Sequence, residues 1–177
     1  MSDTKVITGK VRFSYCHIFK PSSMDDSNEP KYSVSIIIPK SDKAMIAKIE
    51  TAVKAATEQG RAEKFGGKIP ANLKTPLRDG DLERPEDEAY SNSLFINCTS
   101  TRKPQIVDRD VQEILDPSGV ESGDYGRVSI NFYPFSVNGN RGIAAGLNNV
   151  QLLEKGEPLS GASSAAEDFA TEYEDLV

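Results

Sequence analysis

Apolar and polar side chains alternate with a period of two over residues 5–19: Val11, Phe13, Tyr15, His17 and Phe19 fall on one side, Lys10, Arg12, Ser14 and Cys16 on the other. That pattern predicts a strand with one face toward a core. A stretch rich in Ser, Asp, Asn and Pro over 21–30 separates it from the β-branched run Tyr32-Ser33-Val34-Ser35-Ile36-Ile37-Ile38, so the two read as a long hairpin. Pro39 ends the second strand. Ser41 or Asp42 can then cap a helix in which Met45, Ile49, Ala52, Val53 and Ala56 recur at helical spacing, closed by Gly60 or by Gly66-Gly67. Residues 66–92, rich in Pro, Gly and charge, read as a long ordered loop. Three more β segments follow at 94–99, 125–137 and 142–153, with a short segment over 104–116. On the second of these, Tyr125, Arg127, Ser129, Asn131, Tyr133 and Phe135 share one face and Val128, Ile130 and Phe132 the other.

About five strands with one inserted helix predict a mainly β fold, an OB-like Greek-key barrel more readily than a sandwich. The 177 residues suffice for one domain with a sizeable core. We divide them into a folded domain over 1–155 and a tail over 156–177 whose Ser, Ala, Gly and acid content predicts disorder. The net charge of −6 belongs to that tail. Six of the 27 acids lie there with no Lys or Arg, which leaves 21 acids against 21 bases in the body. A neutral body can still carry a basic face. No apolar run approaches membrane-spanning length, and the N-terminus has no signal-peptide core, so a cytoplasmic location is expected. Cys16 and Cys98, each inside a predicted strand, read as reduced, buried thiols.

Candidate chemistry is sparse. A single His and two dispersed Cys make a zinc site unexpected, and no metal or cofactor is anticipated. Asp79-Gly80-Asp81-Leu82-Glu83 resembles the start of a cation loop but lacks the later glycine and terminal glutamate of an EF-hand. Neither a dinucleotide glycine pattern nor a phosphate-binding Gly-Lys-Ser/Thr loop is present, and His17 reads as part of an apolar strand face rather than as a base. What the chain does carry is aromatic residues interleaved with bases on strands: Lys10, Arg12, Tyr15, Lys31, Tyr32, Arg102, Lys103, Tyr125, Arg127 and Tyr133. Rings stack on bases while Lys and Arg follow phosphates, the combination that single-stranded nucleic acid requires. A major-groove reader is not expected, because no basic helix or helix-turn-helix occurs. Two alternatives stand beside a non-enzymatic binder: a metal-dependent nuclease or phosphoesterase built on Asp79, Asp81, Glu83 and Asp108, and an assembly or adaptor protein of a virion.

Four segments carry a resemblance: Arg12-Phe13-Ser14-Tyr15 with Phe19 and Pro21; Lys31-Tyr32-Ser33-Val34-Ser35 running to Ile38-Pro39-Lys40; Pro76-Leu77-Arg78-Asp79-Gly80-Asp81; and Gly142-Ile143-Ala144-Ala145-Gly146-Leu147-Asn148-Asn149-Val150-Gln151. In this order they resemble the phage single-stranded DNA-binding proteins, an OB-fold group first catalogued as a domain of unknown function, over residues 7–177. The resemblance implies sequence-independent coating of single-stranded DNA during replication, recombination or repair in a phage-infected or prophage-carrying bacterial cell. It also implies a C-terminal tail that recruits a polymerase or helicase, here Phe169, Glu172, Tyr173, Glu174, Asp175, Leu176 and Val177. Homodimerisation and a preference between DNA and RNA stay open at this stage.

Overall fold

The computed structural model describes residues 4–22 and 30–159. The candidate tail residues Phe169, Glu172, Tyr173, Glu174, Asp175, Leu176 and Val177 lie outside them. In chain order the elements are β1 (Lys5–Ile7), β2 (Val11–Ser22), β3 (Lys31–Pro39), α1 (Lys43–Glu63), β4 (Arg78–Asp79), α2 (Gly80–Glu83), β5 (Ser93–Ser100), β6 (Gln105–Val107), β7 (Tyr125–Val137) and β8 (Asn140–Glu154), with 3-10 turns at Glu88–Tyr90 and Pro117–Gly119. The fold is mainly β with one long helix, but the described residues form eight strands where the hydrophobic pattern suggests about five.

β2 pairs antiparallel with β3, β3 with β5, and β7 with β8, while β5 and β8 run parallel. Val11 and Arg12 of β2 return to Gly126 and Tyr125 of β7, so the path of pairings comes back on itself. β1 and β6 extend it on β7 and β8, and β4 adds to β5. The β7–β8 hairpin turns through Asn138 and Gly139, both at positive φ (50° and 83°), the Asn-Gly turn whose twist matches that of paired strands. Inside lie Phe13, Ile36, Ile96, Ile130 and Phe132, each fully buried. α1 supplies Met45, Ile49, Ala52, Ala56 and Gly60 to the core, and Asp42 caps it by accepting from the Met45 amide. At Gly60 a Cβ would meet Phe65 and Pro134 below 3 Å, so only glycine lets the helix end close down on β7.

Two departures from the alternation pattern have local causes. The expected strand over 5–19 is two strands, interrupted where Gly9 passes Met45 so closely that a Cβ would lie 2.8 Å from its methyl group. Within β2 the register then shifts between Ser14 and His17, and Tyr15 sits at φ 46°. This bulge inverts the faces: Ile18 is buried and Cys16 packs on the core, while Tyr15 and His17 are exposed. His17 is therefore not on the apolar face. The loop expected over 66–92 is also more organised than its composition suggests. Its later part folds over the outside of β3 and β5, where Tyr90 buries against Ile37 and Phe95 in a second cluster. With a core on each side, β3 carries the unbroken run Ile36-Ile37-Ile38.

Candidate nucleic-acid interface

Five outward-pointing residues form one row across five strands. Asn131 of β7 pairs with Gly146 of β8, Gly146 with Thr99 of β5, Thr99 with Ser33 of β3, and Ser33 with His17 of β2. Each has the parity opposite to a buried neighbour, Phe132, Ala145, Cys98, Val34 and Ile18 in turn. At about 4.8 Å per strand the row spans roughly 19 Å. Its central members Gly, Thr and Ser are small, so the surface there is a trough. The part between β3 and β7 is a groove of about 290 Å³ lined by Lys31, Thr99, Ser100, Thr101, Asn131, Tyr133, Gly146, Leu147 and Asn148, with no acid among them. Tyr133 is 41% exposed. Its ring lies along the side-chain-free Gly146, where a Cβ would stand 3.5 Å from the ring edge. The result is an aromatic platform with a cation, Lys31, on the same groove.

Arg102 and Lys103 follow directly after Thr101 and are exposed, with Lys103 Nζ 5.7 Å from the centre of the Phe19 ring. At the other end of the row, two residues before His17, Tyr15 exposes 52% of its surface. Arg84 lies over that ring with its Cζ 5.0 Å from the centroid and donates to the Tyr15 hydroxyl at 3.3 Å. Arg84 carries no motif in the chain and is invisible to sequence reasoning. The row itself can be read only once the register of five strands is known.

The remaining candidates lie elsewhere. Tyr32 has the inward parity of Val34 and Ile36 and is half-buried. Lys10 and Arg12 both stand over the Tyr125 ring, at 5.0 and 5.2 Å. Lys10 is paired with Glu154, and Arg12 donates to the carbonyls of Gly123 and Glu157. That cluster is satisfied within the chain and fastens the segment after β8. The buried Asp124 completes the fastening, accepting from Lys155 and from the amides of Gly156 and Glu121. Arg127 donates Nε–H to the Thr8 carbonyl and enters a separate cleft beside Ile7 and Val111.

The four carboxylates of the nuclease alternative are not brought together. Lys40 Nζ sits 2.9 Å from Asp79 and 2.7 Å from Asp81, and Arg78 holds Glu83 at 2.8 Å. The hydrogen bond from Lys40 holds both aspartates below the usual carboxylate range, and bonding to Asp81, then to Asp79, raises Lys40. Asp108 instead accepts from the amides of Asp110 and Gln112 in the loop after β6. Among the described residues no group of three or more His, Cys, Asp or Glu could hold a metal ion. Burial pushes both thiols up to about 12.

The family model built on the ssDNA-binding protein of Enterobacter phage Enc34 matches residues 4–177. The chain belongs to this family. Among solved structures, the Enc34 single-stranded DNA-binding protein in complex with ssDNA superposes with a TM-score of 0.79 at 22% identity, covering 89% of this chain and 90% of that one. The uncomplexed Enc34 protein gives 0.73, again at 22% identity, over 94% and 90% of the two chains. Bacteriophage T7 gp2.5, a single-stranded DNA-binding protein, gives 0.64 at 17% identity over 95% and 93%. A search of curated protein sequences finds no match. The Enc34-like fold agrees with the resemblance carried by the four segments above, two of which supply members of the outward row: Ser33 from the second and Gly146 from the fourth.

Proposed function

We propose that the chain coats single-stranded DNA during phage replication, recombination or repair, holding the strand in the trough from Tyr133 and Lys31 across Gly146, Thr99 and Ser33 toward Tyr15. The returning path β7–β2–β3–β5–β8 is read as an OB-type barrel, with β5 and β8 as its parallel pair and the trough across its outer face. The observation that carries the reading is the acid-free groove with a partly exposed tyrosine whose ring edge passes a glycine and a lysine on the same groove. Flat rings accept any base, and phosphates need only point charges, so such a groove binds without sequence preference. Family membership supports this, as does the Enc34 relative's complex with ssDNA. No catalytic step is assigned, because Asp79, Asp81 and Glu83 are engaged by Lys40 and Arg78.

The tail is read as a recruiting arm for a polymerase or helicase whose acids compete with DNA for the basic groove. Homodimerisation is compatible with this reading and is not required by it. The work would be done in the cytoplasm of the bacterial host. The decisive variants are Tyr133→Ala and Lys31→Ala, assayed on labelled oligo-dT. Tyr133→Ala is expected to lose about 1–3 kcal/mol of affinity at every salt concentration. Lys31→Ala is expected to flatten the salt dependence by the share of one phosphate, about 0.7 in the slope of log K against log salt. Unchanged binding in both variants would remove the trough from the interface.

A further inference from the structure

Tyr15 is exposed at the end of the trough in a backbone conformation, φ 46°, that non-glycine residues adopt rarely and that must be held by its surroundings. Ser122 accepts from the next amide, that of Cys16, and Arg84 holds the side chain. Its guanidinium carbon lies 5.0 Å from the Tyr15 ring centre, 5.2 Å from that of Tyr90 and 5.5 Å from that of Phe95. Tyr90 and Phe95 are buried and meet edge to face at 5.0 Å, so Arg84 lies between an anchored aromatic pair and an exposed ring. Nη1 donates to the Tyr15 hydroxyl, whereas Nε is buried with no hydrogen-bond partner. The group is thus held largely by rings. A planar guanidinium can stack on several rings through its faces, whereas an ammonium meets them only as a compact point charge.

We infer that Arg84 positions Tyr15 as a second base-stacking platform, terminating the single-stranded DNA path that Tyr133 begins. The inference rests on the single-stranded DNA reading above and adds to it a residue and a division of labour. With Arg84 beneath it, the Tyr15 ring is stiff, and its 52% exposure leaves it able to receive a base. The cavity around it, about 670 Å³, is rimmed by Glu83, Glu86, Asp87 and Glu88. An acidic rim repels phosphate, so the strand meets this platform through its base alone, with its backbone directed away. Tyr15 and Arg84 therefore contribute to the base-dependent part of the affinity and nothing to its salt dependence, the reverse of Lys31.

The test uses the full chain and compares labelled oligo-dT with an abasic strand of equal length and charge, across a salt series. The variants are Tyr15→Asn, which keeps a residue tolerant of the left-handed backbone, Arg84→Met, which keeps the apolar stem, and Arg84→Lys, which keeps the charge without the plane. All three are expected to bind oligo-dT about tenfold more weakly, with abasic affinity and salt slope unchanged. Binding of the abasic strand at the original strength also shows that the variants are folded. Equal weakening on both strands, a reduced salt slope, or full activity of Arg84→Lys or Arg84→Met would overturn the positioning role. Failure of the unaltered chain to bind oligo-dT would instead sink the DNA reading on which it stands.

Discussion

Tyr125 and Tyr133 occupy the same face of β7, yet their surroundings assign them different work. Tyr125 is covered by Lys10 and Arg12 and by the chain at Gly156, where a Cβ would meet its ring at 2.9 Å. Tyr133 passes Gly146 and stays 41% exposed on the groove. Tyr125→Ala is expected to lower the melting temperature and leave oligo-dT affinity within about twofold, while Tyr133→Ala does the opposite. The alternation of β7 is legible in the sequence; the cations over Tyr125 are not, because Lys10 and Arg12 lie 115 and 113 positions earlier in the chain. The thiols behave differently from surface cysteines. With both raised to about 12 by burial, the folded protein keeps them protonated through pH 9, where the unfolded chain begins to ionise. Stability therefore falls as pH rises above about 9, and a thiol reagent at pH 8 should label neither cysteine until denaturant is added. Rapid labelling of either in the native protein would contradict this burial.

At the scale of elements, α1 is legible in the sequence, since its apolar spacing and Asp42 cap are local signals. β2 is not, because the bulge at Tyr15 reverses its faces through contacts with Ser122 and Arg84, far away in the chain. The Asp79-Gly80-Asp81 turn illustrates a motif whose chemistry proves to be structural. A Cβ on Gly80 would lie 2.3 Å from the Tyr90 carbonyl and 2.8 Å from that of Ser93, both backbone atoms that cannot move aside. Gly80→Ala is expected to cost about 1–3 kcal/mol in denaturant unfolding. The Lys40 bridge to Asp79 and Asp81 has its own pH signature. Since both aspartates are lowered, the bridge contributes above the ordinary carboxylate range and is lost as pH falls through their lowered values; since Lys40 is raised, it is lost again only above the ordinary lysine range. Lys40→Met should flatten the acid limb of melting temperature against pH, below about pH 4, and an unaltered limb would show the bridge to be idle.

For the whole molecule, the division of charge is the feature most plainly written in the sequence: a body of balanced charge and a tail with six acids and no base. Gly156 and Glu157 are tied to Asp124 and Arg12, and Leu159 packs on the second cluster, so the segment after β8 is fastened to the body as far as residue 159. Removal of 160–177 is expected to leave stability intact and raise DNA affinity at low salt, whereas removal of 156–177 also breaks those ties and lowers the melting temperature. Identical stability of the two truncations would argue against the tie. The proposed work of the whole molecule is single-strand binding through the trough of Tyr133 and Lys31. It is tested most directly by fluorescence anisotropy of a labelled oligo-dT of about 30 nucleotides, long enough for the ~4–16 nucleotides one such fold covers, beside a duplex of equal length at two salt concentrations. Preferential binding of the single strand that weakens steeply with salt is expected; equal affinity for the duplex, or no binding at low salt even without residues 160–177, would contradict it.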